Sequence, residues 1–448
     1  MTFSHDMKLT RAVRRATRGV VAAGALALSV GCSTDKILRV TDPDVAPSSF
    51  IDTPGALPAL RNGALSAFHA TYIGTGDVNE SSGQIGYSGL LGDELRSSDT
   101  YPTRNQVDQR AVQLDNGSNE DQFILLSKAR AAADLAARQY EKYAPDSSGL
   151  ALTYALSGYT TVLFGENYCS GVPFSTLGAD GVPQYGDPLT TKQIFQRAVA
   201  KFDAALAAPG VTGQYRNLAL VGKARALLDL DSLAEAKATA QQVAADYQFE
   251  IGSSETTTTE YNGFWEFNYD VGRLTLANRE GTNGLDYLAA NDPRVTFENT
   301  GIAGFDGTTL LYVQGKYPTR DATSILASTT EAQLIVAEVD LAANDSVAAL
   351  QTLNDLRTAQ GMTPLTMAAG HAAQVTQLFR ERAFWLYLTS HRLGDMRRLI
   401  RQYGRATESV FPTGSFFKAG FYGTDVNLPV PDVELNNPKF HGCIVRNA

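Results

Sequence analysis

The stretch Phe379-Arg-Glu-Arg-Ala-Phe-Trp-Leu-Tyr-Leu-Thr-Ser-His-Arg-Leu-Gly-Asp-Met-Arg-Arg398 holds the densest mixture of aromatic, acidic, imidazole and guanidinium side chains in the chain. Drawn as one helix, its first half is apolar nearly all round (Phe379, Ala383, Phe384, Trp385, Leu386, Tyr387, Leu388), the pattern of a buried helix. In its second half Asp395 follows His391 by four residues and Arg392 by three, so both can reach the carboxylate from one face. A His–Asp pair is also the pattern of a general base with its orienting acid. No nucleophile accompanies it, and a buried charge needs a partner merely to be tolerated. Glu381, His391, Arg392 and Asp395 are therefore read as structural ion-pairing groups.

Outward from this helix the chain reads as more helices in pairs. Ala198, Phe202 and Ala205 reproduce the A-x3-F-x2-A spacing of a tetratricopeptide repeat, where small residues admit the partner helix and the ring fills the gap. Gly222 and Ala234 lie twelve apart, as do Ala337 and Ala349, which suits the contact residues of further helix pairs over 217–246 and 331–357. Ala- and Leu-rich helices are expected at 122–143 and 150–164. Another is expected at 53–72, with Thr53 as N-cap, Pro54 at the first helical position and an apolar face at 57, 60, 64, 65, 68 and 72. The fold class expected is mainly α, tetratricopeptide-like helical repeats with long irregular loops and a few short strands.

Three segments break the helical pattern: 73–120, 165–188 and 251–328. Long stretches without helical period are usually functional in a compact domain. Within the first, Asp93, Arg96, Tyr101 and Arg104 concentrate hydrogen-bonding groups in loop sequence, where binding residues usually sit; loop-anchoring salt bridges are the plainer reading. Within the last, Tyr261, Trp265 and Tyr269 offer flat faces suited to sugar rings. Trp265-Glu-Phe-Asn-Tyr-Asp270 also alternates strictly, so the plainer reading is a half-buried strand whose aromatic face is core. A β-like run is expected over Thr308-Thr-Leu-Leu-Tyr-Val313, after the turn signal Asp306-Gly307.

At 448 residues and 44% hydrophobic content the chain can bury a large core. Lys8, Arg11, Arg14, Arg15 and Arg18 precede a short apolar run from Gly19 to Gly31, the pattern of an export signal over residues 1–31. Those five are among 38 basic residues, and one of 47 acids precedes Cys32, so the mature chain would carry 33 against 46. Such a surface repels phosphate backbones, and nucleic acid is not an expected partner. Leu28-Ser-Val-Gly-Cys32 resembles a bacterial lipobox, with Cys32 as the lipidation site and polar residues 32–49 as a tether before one domain over 50–448. Cys169 and Cys443 lack a C-x-x-C spacing and, in an exported chain, are expected to form a disulfide, with buried free thiols as the alternative.

Searches for chemistry return little. The five histidines never approach metal-ligand spacing, and there is no G-x-S-x-G elbow or phosphate loop, so neither metal nor cofactor is expected. Two carboxylates about 5–10 Å apart would make a glycosidase. An exported glycoside hydrolase on a helical scaffold therefore stays open as the alternative.

Glu381-Arg382, His391-Arg392 and Asp395-Met-Arg-Arg398 resemble the E-R-R…G-H-R-x-x-D-L-R-R segment of the SusD/RagB-like outer-membrane nutrient-binding lipoproteins. Asn427-Leu-Pro-Val-Pro431, with Glu434 and Asn437-Pro438, is similar to that family's closing segment. Asp42-Pro43, Phe50 and Asn62-Gly63-Ala64 are similar to its entry. Trp385, Thr389 and Ser390 stand where the family has acidic and glycine positions. The resemblance implies a non-catalytic protein, lipid-anchored at the outer membrane and exposed at the cell surface. It would capture a glycan or another oligomeric nutrient for a TonB-dependent β-barrel of the SusC type. Family ligand residues lie in variable loops, so none carries over by motif.

Overall fold

The computed structural model describes residues 48–77, 82–178 and 182–448. The expected signal, Cys32 and the tether up to residue 47 lie outside the described residues. Ser48–Ile51 forms one short helix. Thr53–Ala448 is a compact body of its own.

Helices dominate this body and follow one another in space as in sequence. Leu57–Tyr72 packs on Gly117–Tyr143, which packs on Ser148–Asn167, then Thr191–Ala207, then Gly213–Asp229, then Leu233–Ala240. Leu233–Ala240 next meets Thr329–Ala342, across the whole 251–328 insertion, and Thr329–Ala342 pairs with Ser346–Ala359. The helix expected from Thr53 begins as a 3-10 turn over Pro54–Ala56 before the α-helix Leu57–Tyr72, with no side-chain capping bond from Thr53, and the one expected from 122 begins at Gly117. Asn116, Ser147 and Ser328 accept hydrogen bonds from the first turns they precede, and Thr190 with Gln193 forms a full capping box. No helix among the described residues is long and apolar enough to cross a membrane.

The tetratricopeptide spacing packs as it should. Ala198, Phe202 and Ala205 are wholly buried, and the Phe202 ring fits between Gly158 and Gly222. A Cβ at those glycines would stand 2.6 and 2.3 Å from the ring. Gly222→Ala is thus expected to destabilise the protein by about 1–3 kcal/mol through overpacking, outweighing the roughly 1 kcal/mol that Ala gains in a helix. Urea denaturation measures it, and an unchanged or raised midpoint would show that Phe202 can move aside. Ala337 and Ala349 are fully buried, whereas Ala234 is exposed and Ala236 takes the inner place.

Segment 73–120, read as loop, contains the helices Gly83–Leu91 and Pro102–Asp108. Every residue of Gly83–Leu91 is buried, so the helix shows no polar face and no period. Among the described residues the strands pair two by two, all antiparallel: Leu95–Ser97 with Leu274–Leu276, Val172–Pro173 with Pro188–Leu189, Thr176–Leu177 with Pro183–Gln184, Gln248–Ile251 with Ser324–Ser328, and Phe297–Ala303 with Leu310–Gln314. The strand Leu310–Gln314 takes in the last four residues of the β-like run expected over 308–313.

Residues 379–398 do not form one helix. His371–Trp385 ends, and Arg392–Arg401 begins after a turn in which Leu388 (φ 54°) and Ser390 (φ 60°) are left-handed. Such backbone costs a non-glycine residue about 1–2 kcal/mol. Partners from distant elements hold it. Leu388 N–H donates to Glu94 Oε1 at 2.9 Å, and the Leu388 carbonyl accepts from Tyr317 Oη at 2.7 Å. Burial pushes the Glu94 carboxyl up to about 8 and the Lys316 amine down to about 8. Cys169 and Cys443 are joined, Cα atoms 5.9 Å apart.

Candidate functional site

The charges of the broken helix face inward. Arg382 donates to Asp395 through Nε and Nη2, both at 2.9 Å, and Arg398 donates to its Oδ1 at 2.7 Å. Burial alone would raise the Asp395 carboxyl; these guanidiniums reverse that and hold it well below the usual carboxylate range. Neither expected partner reaches it, because the turn before residue 392 re-aims both. His391 Nε2 lies 3.0 Å from Glu331 and 2.8 Å from Arg225, while Arg392 grips Asp93 at 2.6 and 2.8 Å. Burial and Arg225 lower the pKa of His391. Glu381 receives Arg294 at 2.6 Å and Arg357 at 2.9 Å. Among the described residues no group of His, Cys, Asp or Glu is placed to hold a metal ion.

The loop candidates divide by burial. Asp93 is fully buried and also accepts from Leu285 N–H at 2.9 Å; Arg104 is buried against Asp99 at 2.5 Å. Both anchor loops. Arg96 and Tyr101 reach the surface. Arg96 is paired with Glu280 and lines a cleft of about 370 Å³ with Asn278, Asn299, Leu288, Phe297 and Tyr312. Phe297 and Tyr312 meet edge to face there, centroids 6.1 Å apart. Tyr101 lies over Arg273, whose other stacking partner is Phe305, with the guanidinium 4.7 and 3.8 Å from the two ring centres.

Tyr261, Trp265 and Tyr269 belong to no strand. Asn262 caps a helical turn by accepting from Trp265 N–H at 2.9 Å, and the turn continues as a wider π-helical coil over Glu266–Asp270. Residues 264 and 267 then point inward, and Phe264 and Phe267 are core. Residues 265 and 269 come one above the other outside. Trp265 and Tyr269 stack, with centroids 5.0 Å apart and planes 15° from parallel, and Tyr269 is 49% exposed. Arg320 lies 4.9 Å over Tyr261 and 5.1 Å over Trp265, and its charge is matched by Glu266 and Asp270. The rings thus lie against one another and against Arg320, whose charge is already neutralised, in a cluster that is partly exposed.

Arg273, Arg320 and Phe305 were not singled out in the sequence, and Tyr312 was read only as part of a β-like run; the fold alone brings each to its ring or guanidinium partner.

No protein-family model matches the chain, and no curated protein sequence is significantly similar to it. Solved structures do match. A SusD-like carbohydrate binding protein from Bacteroides vulgatus superposes with TM-score 0.63 at 15% identity, over 86% of this chain and 97% of that one. A SusD superfamily protein from Bacteroides thetaiotaomicron gives 0.65 at 15% identity over 87% and 99%. Surface glycan-binding protein A from Bacteroides uniformis gives 0.65 at 11% identity over 87% and 99%. At these identities the likeness is one of fold, and the fold of this chain is the SusD-like one.

Proposed function

We propose that the protein captures a glycan or similar oligomeric nutrient without transforming it. It delivers the ligand to a TonB-dependent β-barrel of the SusC type, from a lipid anchor at Cys32 on the outer membrane. The observation that carries this reading is the SusD-like fold over most of the chain, shared with proteins described as carbohydrate-binding. The aromatic row Tyr261, Trp265 and Tyr269 and the Arg96 cleft supply the kind of surface a sugar chain needs: rings for its apolar faces, carboxamides for its hydroxyls.

A glycan array with the purified protein identifies the ligand, and titration calorimetry then measures it. Replacing Trp265 and Tyr269 by Ala is expected to weaken binding about tenfold or more, the scale of an aromatic hot spot, with the melting temperature unchanged. Labelled fatty acid should enter the wild type and not Cys32→Ala, and a large β-barrel should co-purify. Turnover of any oligosaccharide, abolished by one Asp or Glu substitution, would replace this reading with hydrolysis.

A further inference from the structure

The polar side chains of the Arg96 cleft offer hydrogen-bond donors and hardly an acceptor. Asn278 Oδ1 accepts from Ala289 N–H at 3.1 Å and Asn299 Oδ1 from Gly301 N–H at 3.0 Å, so the backbone fixes which way both carboxamides point. Among the described residues neither Nδ2 makes a hydrogen bond, and Arg96, which spends Nε on Glu280, keeps Nη1 free as well. By contrast Asn262, Asn268 and Asn283 each spend Nδ2 on a backbone carbonyl. The Tyr312 hydroxyl is the one side-chain acceptor in the lining with no donor from the described residues already on it.

Strand register brings these groups to one side. Phe297 and Asn299 are alternate residues of one strand and share a face, and Tyr312 stands directly across from Asn299 on the partner strand. Arg96 pairs with Thr275, whose hydroxyl donates to the Leu310 carbonyl, so the face of that ribbon carrying Arg96 is the one turned to the same hairpin. The rest of the wall is apolar, with Leu288 buried beside the half-buried Phe297. At about 370 Å³ the cleft lies within the range of small-molecule sites.

We infer that this cleft selects glycans that carry acetyl groups, the carbonyl oxygen accepting from the Asn278, Asn299 and Arg96 nitrogens and the methyl lying on Leu288 and Phe297. The inference rests on the capture reading and narrows its ligand. An acetyl group is a strong acceptor with an apolar end, whether it sits on nitrogen or on oxygen, and the cleft answers both parts. A bare hydroxyl has no methyl for the apolar wall and brings a proton for which only Tyr312 is open. A carboxylate would meet the donors, but Glu280 already matches the Arg96 charge, and the acidic surface of the mature chain repels a polyanion.

Titration calorimetry on the whole mature protein compares two matched pairs of sugars. Chitotetraose and cellotetraose share one backbone and differ in acetamido for hydroxyl; acetylated xylotetraose is set against the same sugar after saponification. An acetylated member is expected to bind about tenfold or more tightly than its partner, the scale of one net hydrogen bond with a buried methyl. Preference within the first pair assigns the group to nitrogen, and within the second to oxygen. Asn299→Asp keeps Oδ1 for Gly301 N–H and turns the free donor into an acceptor, so it should abolish the preference with the melting temperature unchanged. No preference in either pair, a preference that survives Asn299→Asp, or tighter binding of tetragalacturonate than of both acetylated sugars overturns the inference. Capture itself stands if the glycan array then finds ligands without acetyl groups, whereas an empty array removes both readings.

Discussion

Asp395→Ala is expected to remove about 3–5 kcal/mol of folding stability, the cost of stranding buried charge whose partner has gone. Arg382 and Arg398 are each about 2% exposed and both donate to this carboxylate. Without it they share Glu338 alone between them at the site, apart from the 3.3 Å contact of Arg398 with Asp229. Domains have only about 5–15 kcal/mol of stability in hand, so yield should fall with it. Chemical denaturation measures the loss, and the affinity of the surviving folded protein for its ligand should be unchanged, because the pair lies in the core and not at the aromatic loops. A collapse of affinity at full stability would return this segment to the status of an active site. The pH dependence follows in sign. Asp395 is held below its unfolded pKa, so its contribution is complete above the ordinary Asp range and is lost as the pH falls through that range towards the depressed native value.

Cys443→Ser is expected to cost about 2–5 kcal/mol. The bridge joins residues 274 apart, and the chain-entropy cost of opening a loop of that length stands at the upper end of the usual range. Cys169 is fully buried, and around it the tail is laid down by backbone pairing. Ser170 pairs with Val445, and Asn427 donates to the carbonyls of Arg446 and Asn447 at 2.9 Å. Thermal melting with and without a phosphine reductant tests it. The wild type should drop on reduction to near the value of the variant, and the variant should not respond. Equal melting of all samples would mean the bridge contributes nothing to the native state.

The helix at 122–143 was legible because one of its faces meets water, and it appears as Gly117–Tyr143; the one at 150–164 appears as Ser148–Asn167, buried nearly all round, and was read from its long Ala- and Leu-rich composition. Phe202 fills the gap its spacing announced. Gly83–Leu91, equally buried, was illegible because it is only nine residues long and three of them are glycine. The Trp265 segment misled because aromatics at 265, 267 and 269 fit a period of two as well as a coil that places 265 over 269; the Asn262 cap decided between them. The break at 386–391 depends on Glu94 and Tyr317, far away in sequence, and nothing local announces it beyond Ser390 in a place where the resembled motif has glycine. Asp93 and Arg96 stand three residues apart and both are charged, yet one is sealed against Arg392 and the other, paired with Glu280, borders a cleft. Residue type marks a polar contact; only packing says whether its partner is the protein or a ligand.

Stacked helix pairs usually touch only their neighbours, so such arrays come apart from one end like a row of separate units. The turn at Leu388 and Ser390 closes that route. By re-aiming the residues that follow it, it sends Arg392 to Asp93, His391 to Glu331, Arg397 to the carbonyls of Gly165 and Tyr168, and Arg398 to Asp229 and Glu338. The last long helical segment thus fastens the beginning, middle and end of the array at once. The body Thr53–Ala448 is therefore expected to unfold in one cooperative transition rather than repeat by repeat, with different probes giving coincident curves.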